Sequence, residues 1–337
     1  MICECNCSSR IWLTTVLVVT LVSTGSFARV ATFNSFDPPG SVATTALSIN
    51  SDGAVTGYYN DGTADHGFLR SPDGSIISFD PPGSVETQPQ CINADGSVGG
   101  AFYDSDQVSH GFVRAPDGTI TVIDPKKSFG TFVTGINGRG DITGWFRDSA
   151  LILHGFERSA KGKFKKFDPP GSVFTEPLSI NISGVVTGHF EKNSGGAHGF
   201  IRTRDGTITT FDPLGSEWTE AKSVNLSGTI AGWYTGSDGL AHGFIRTFDG
   251  ATTSFDATGA RQTIVENMSV SEVVTGYFQD SSNLTHGFVR KRNGKIVVFD
   301  APGSTSTEAY DVGSKGEAIG SYVGSDGLKH GFVWTAR

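Results

Sequence analysis

Seven histidines recur at a fixed step. His-Gly-Phe starts at His66, His110, His154, His198, His242, His286 and His330, each 44 residues after the last. An aspartate follows fourteen residues later in every complete copy. The pairs are His66 with Asp80, His110 with Asp124, His154 with Asp168, His198 with Asp212, His242 with Asp256, and His286 with Asp300. A His beside an Asp can be a proton relay, half a metal site or a structural hydrogen bond. The turn Asp73-Gly74 lies midway between His66 and Asp80, so an antiparallel hairpin brings the two nearly opposite each other. Repetition favours the structural role. Equivalent positions in a seven-fold ring are about 0.87 of its radius apart, too far for several repeats to share one metal, and one His with one Asp falls short of a zinc shell. No Ser sits in a Gly-x-Ser-x-Gly context that could complete a triad. The residues therefore point to no catalytic group, no metal site and no cofactor.

The elements that must carry these pairs are short strands. Within one copy, Leu47–Asn50 reads as strand A, Asn50–Gly53 as a turn and Ala54–Tyr59 as strand B. After a polar loop come His66–Arg70 as strand C and Ser75–Phe79 as strand D, which ends at Asp80-Pro81-Pro82-Gly83 because Pro cannot extend a ladder. No stretch has helical periodicity. Four strands per copy at this period match a propeller blade. The expected fold is all-β, a seven-bladed β-propeller with four-stranded blades. The last copy lacks strand D, whereas Val30–Gly40 reads as a strand D with its exit turn and no strand before it. The N-terminal strand is thus expected to pair with the C-terminal blade and close the ring, giving His330 the partner Asp37.

The repeated unit, with Ile-Asn-x-x-Gly and Val-x-Gly-x-Tyr around His-Gly-Phe, resembles the HAF-type extracellular repeats of bacterial secreted proteins, with Gly67 where those typically carry Ala. The resemblance covers nearly all of residues 29–337. It implies export and a β-repeat fold, and no chemistry. The late-strand closure also resembles the WD40 type, although no Trp-Asp dipeptide is present.

The leader agrees with export. Arg10, the apolar run Ile11–Val22 and the small residues up to Ala28 read as a secretory signal peptide, residues 1–28. Residues 29–337 then form a single domain, secreted to the extracellular space or periplasm, with no integral membrane span once the signal is removed. Cys3, Cys5 and Cys7 leave with the leader, and Cys91 alone cannot form an internal disulfide. The composition of 337 residues, with net charge -8 and 45 Gly, argues against nucleic acid, whose phosphates recruit basic surfaces.

Positions that vary between copies are the better candidates for function. After each strand B glycine (Gly57, Gly100, Gly144, Gly188, Gly232, Gly276, Gly320) stands a variable residue. Tyr58, Trp145, His189, Trp233 and Tyr277 are candidate exposed stacking platforms for sugars or peptides, with packing between blades as the competing role. The next residue, always aromatic, reads as core. The glycines themselves suit close approach between neighbouring blades. Strand A, taken as innermost, presents Ser48, Cys91, Gly135, Ser179, Ser223, Asn267 and Asp311 to a central channel, and Asp311 is its one acidic member. The acidic B–C loops and the lysines between Lys126 and Lys166 read as solvated.

The function expected is a secreted, monomeric, non-catalytic binding module that recognises extracellular carbohydrate or a protein partner through one loop face. The alternatives are a polysaccharide-active lyase or glycosidase on the same scaffold, or a structural cell-surface protein.

Overall fold

The computed structural model describes residues 31–336, and the signal-peptide assignment lies outside them. Strands and turns account for these residues, with no helix among them. The first strand, β1 (Thr32–Phe36), precedes the first complete copy of the repeat, formed by β2 (Ala43–Ile49), β3 (Val55–Asn60), β4 (Asp65–Arg70) and β5 (Ile76–Phe79). These four pair antiparallel in chain order. The β4–β5 connection is the three-residue kind, with Ser71 paired to Ser75 and Gly74 at φ 93°. The same pairing recurs along the chain. Isolated parallel bridges join successive copies at Leu153 to Phe174 and Thr285 to Ser306, and the first copy to the last at Ala43 to Lys329. In the last copy, Lys329–Thr335 pairs on one side with Glu317–Val323 and on the other with β1, in the register Ser35 opposite Phe332.

Strand β2 begins four residues before the expected strand A. The cause is a β-bulge: the register with β3 shifts between Ala46 and Ser48, leaving Leu47 as the extra residue. The bulge breaks the two-residue alternation, so only the part after it reads as a strand. It recurs at Gln90, Thr134, Leu178, Glu266 and Tyr310, and as Ala221-Lys222.

The strand B glycines serve this bulge rather than the contact between neighbouring copies. A Cβ on Gly57 would sit 2.0 Å from the carbonyl oxygen of Thr45 within the same repeat, and one on Gly276 would sit 2.0 Å from that of Ile264.

The core repeats too. Phe68, Phe112, Phe156, Phe200, Phe244, Phe288 and Phe332 are wholly buried. At six seams a Phe from the outermost strand of the preceding copy meets this ring edge-on at 5.8–6.3 Å: Phe36, Phe79, Phe167, Phe211, Phe255 and Phe299. Arg70, Arg114, Arg202, Arg246 and Arg290 lie over five of those Phe rings at 4.7–5.0 Å, and Trp334 stacks on Phe299 at 4.2 Å. Aromatic geometry and cation–π attraction thus clamp one copy to the next.

Candidate functional site

Each repeated histidine bonds its aspartate through Nδ1. The distance is 2.7 Å from His66 to Asp80, from His110 to Asp124 and from His330 to Asp37, and 2.8 Å from His198 to Asp212. It is 2.9 Å from His154 to Asp168 and from His242 to Asp256, and 3.0 Å from His286 to Asp300. The aspartates stand one residue beyond the ladder, where the same register sets them opposite the histidines. The ladder ends one residue earlier, with Gly155 opposite Phe167, Gly199 opposite Phe211, Gly243 opposite Phe255 and Gly287 opposite Phe299. Asp168, Asp212, Asp256 and Asp300 each stand where the chain leaves that strand for its exit turn. Their carboxylates, not their backbones, close the end of the sheet. Asp168 differs slightly from the other three: Lys166 approaches its Oδ2 at 3.6 Å, and its Oδ1 is buried without a hydrogen-bond partner.

The aromatic residue beside each histidine packs on its ring, as in Phe102 on His110 at 5.1 Å. The acidic B–C loops are less free than their sequence suggests. Asp61, Asp104, Asp148, Asp238, Asp280 and Asp326 reach Nε2 of the same histidines at 3.1–3.5 Å. Both ring nitrogens of these six histidines are therefore engaged, and each serves to tie the B–C loop to strands C and D.

The bulges build a different site. Cross-strand register sets each variable strand B residue directly opposite a strand A residue: Tyr58 with Thr45, Trp145 with Phe132, His189 with Glu176, Trp233 with Glu220, Tyr277 with Ile264 and Ser321 with Glu308. Paired residues share a sheet face. The bulged residues Leu47, Gln90, Thr134, Leu178, Lys222, Glu266 and Tyr310, with Phe132, Trp145 and Glu176 from these rows, line a cavity of about 480 Å³.

One arc of this cavity is acidic. The Lys222 ammonium stands 3.0 Å from Glu266 and 3.8 Å from Glu220. Burial works against its charge, but Glu266 and Glu220 outweigh burial and hold its pKa above the usual lysine value. Glu220 also accepts from the Trp218 indole at 3.2 Å. Burial pushes the Glu176 carboxyl up to about 7, with Lys222 opposing and Glu220 reinforcing the shift. His189 Nε2 lies 3.7 Å from Glu176, and burial lowers this imidazole to about 4, so it is neutral at pH 7. Its Nδ1 is buried without a hydrogen-bond partner. Burial, then Glu266 and Glu308, raise the Tyr277 phenol, while Tyr310 donates to Glu308. Trp145 stacks on Phe132 at 5.1 Å to form an aromatic wall. The arrangement offers hydrogen-bond acceptors, one cation and flat apolar surfaces, which suits a ligand rich in donors.

The candidate residues divide accordingly. Trp145, His189 and Tyr277 lie at this arc, and Trp233 is the cross-strand neighbour of Glu220. None is an exposed platform: Tyr58, Trp145, Trp233 and Tyr277 are half-buried and His189 is 5% exposed, because each packs against its strand A partner. Asp311 lies elsewhere, lining a second cavity of about 340 Å³ toward the A–B turns with Ser48, Cys91, Gly135, Ser179, Ser223 and Asn267. It accepts from Ile49 N at 2.9 Å, Val312 N at 2.7 Å and Ser48 Oγ at 3.1 Å, and burial pushes it up to about 6. Sequence reasoning missed Glu176, Glu220, Lys222, Glu266, Glu308 and Tyr310. The available signal was the charge that these strands carry, with Glu176, Glu220, Lys222, Glu266 and Glu308 on otherwise apolar or small-residue segments.

No protein-family model and no curated protein matches this sequence. Solved structures do match its fold. Virginiamycin B lyase from Staphylococcus aureus superposes with TM-score 0.61 at 15% identity, covering 91% of this chain and all of the lyase. The β-propeller domain of the Trilobed protease from Pyrococcus furiosus gives 0.62 at 10% identity, over 88% of this chain and 95% of that domain. A puromycin hydrolase gives 0.60 at 12% identity, over 88% of this chain and 54% of the hydrolase. At these identities the likeness is one of fold: the chain is an all-β protein of propeller type.

Proposed function

We propose that residues 29–337 form a secreted, monomeric, seven-bladed β-propeller with four-stranded blades, closed by β1, which binds an extracellular carbohydrate at one mouth of its channel. The observation that carries this reading is the arc of Glu176, Glu220 and Glu266 around Lys222, continued by Glu308 beside Tyr310 and Tyr277 and walled by Trp145. Carboxylates accept hydrogen bonds from sugar hydroxyls or ammonium groups, and aromatic faces cover the apolar faces of sugar rings. The same arc repels phosphate, as does the net charge of -8. A protein partner would have to present lysine or hydroxyl groups to the same mouth.

Glycan-array screening followed by calorimetry tests this. Neutral or amino sugars are expected to bind, and Glu220→Gln with Glu266→Gln, or Trp145→Ala, is expected to weaken binding about tenfold or more, a change of about 1.4 kcal/mol. Absence of any glycan or envelope-peptide ligand, or equal binding by these variants, overturns the reading.

One observation favours a second reading, an enzyme acting on extracellular polymers. Glu176, raised to about 7 by burial, is protonated in about half of the molecules at neutral pH and can act as an acid there. Turnover of a polysaccharide that Glu176→Gln abolishes while leaving binding intact would select this reading.

A further inference from the structure

One seam departs from the clamp that joins the other copies. Ile123 stands where the other seams carry Phe, immediately before the aspartate that pairs with the histidine. Arg158, which ends the next strand C, therefore has no ring beneath its guanidinium. Among the described residues no carboxylate pairs with it either. Phe164 partly compensates from its own repeat, stacking on Phe156 at 5.0 Å. A cavity of about 540 Å³ remains, lined by Ile123, Lys126, Phe146, Arg158 and Phe164. Asp124 also borders it, but its carboxylate is held by His110 at 2.7 Å.

We propose that this seam is a second binding site, for a small aromatic carboxylate. The ligand's ring takes the place that a Phe ring occupies at the other seams, against the Ile123 and Phe164 side chains and under Arg158. Its carboxylate then faces the two cations, Arg158 and Lys126. Apolar cavities of about 150 Å³ already hold a benzene ring, so there is room for a ring bearing a short acid arm. The guanidinium gains the cation–π contact it lacks, and a charge-assisted hydrogen bond to the carboxylate. The chemistry differs from that of the acidic channel mouth, and the two sites fail or stand separately.

The probe is 4-fluorophenylacetate, followed by ¹⁹F NMR and calorimetry on the full mature chain. Saturable binding is expected, with acetate and benzyl alcohol each weaker by about tenfold or more. Ile123→Phe rebuilds the clamp and fills the seat, so it is expected to abolish binding while raising the melting temperature. Arg158→Met is expected to weaken binding about tenfold; it decides the matter if Ile123→Phe fails to fold. Glu220→Gln with Glu266→Gln at the channel mouth leaves this binding unchanged. No saturable binding up to about 10 mM, acetate binding as well as the aryl acid, or undiminished binding by Ile123→Phe or Arg158→Met overturns the proposal.

Discussion

At the residue scale, the histidines set a pH dependence. In His66 the hydrogen bond to Asp80 is the largest influence and raises the pKa. In His110, His242, His286 and His330 burial works to lower it. The flanking aspartates, Asp256 for His242 and Asp300 for His286 among them, outweigh burial, so the net shift is again upward. A folded pKa above the unfolded value of about 6.5 contributes stability that is complete below that pH and fades as pH rises through the folded pKa. The loop partners shift the other way. Backbone hydrogen bonds lower Asp104, Asp238, Asp280 and Asp326, and the His154 hydrogen bond lowers Asp148. Their contribution is complete above about 3.9 and fades as pH falls through their folded values. Glu176 and Asp311, raised by burial to about 7 and about 6, lose stability as pH rises from about 4 to those values, and His189, lowered by burial to about 4, gains it from there to about 6.5, so over most of that range these buried groups oppose one another. Stability should therefore peak between about pH 4 and 6.5. Calorimetric melting at fixed salt is expected to give a higher melting temperature at pH 5.5 than at pH 8.5. The difference should shrink in His242→Asn with His286→Asn; a flat profile would remove the electrostatic role of these pairs.

At the scale of the strand, the bulge connects the repeated residues to the site. Strand B glycine permits strand A to approach and kink, and the kink turns Glu176, Lys222 and Glu266 toward the cavity. Gly276→Ala would drive a methyl group into the Ile264 carbonyl, which cannot give way without moving the strand. A loss of about 2–4 kcal/mol is expected, read by urea denaturation, with ligand binding at the Tyr277 side of the mouth lost before the fold. An unchanged midpoint would mean the bulge is not held by this contact. The same feature explains what could be read in the amino-acid string. Strands B, C and D, the hairpin through Gly74 and the approach of His66 to Asp80 follow from local periodicity and turn chemistry, and each is legible. The row Thr45, Gln88, Phe132, Glu176, Glu220, Ile264 and Glu308 is not, because an inserted residue shifts the alternation by one. Counting in twos back from Asp311 reaches Ala309 and passes over both Tyr310 and Glu308. The loop aspartates escape for a related reason: their separation from the histidine is six residues for Asp104 and Asp148 but four for Asp238 and Asp326, so no fixed spacing reveals them.

For the molecule as a whole, the decisive join is between its ends. Strand β1 covers the outer edge of Lys329–Thr335. Phe33 stacks on Phe332 at 4.9 Å and meets Tyr322 edge-on at 5.6 Å, while Ser35 accepts from the Tyr322 hydroxyl at 2.9 Å and Asp37 holds His330. Phe36 then clamps the first copy through Phe68 and Arg70. One strand thus completes the last copy and seals it to the first. In an open array, each unit depends only on its neighbours, and trimming one end frays that end alone. In a closed ring the same loss leaves an uncovered strand edge and opens a seam that involves both ends of the chain. Deleting Thr32–Asp37 is therefore expected to lower the melting temperature of the whole domain and promote self-association. Amide exchange should rise in β2–β4 as well as in Glu317–Thr335. Phe33→Ala, which removes a half-buried ring, is the milder case, at about 1–3 kcal/mol. A synthetic peptide spanning residues 29–40 should restore protection in trans, because the backbone pairing with Lys329–Thr335 does not require a covalent link. Were exchange to rise only beyond Glu317, with β2–β4 as protected as before, the first and last copies would be independent neighbours and the proposed ring would not be a cooperative unit.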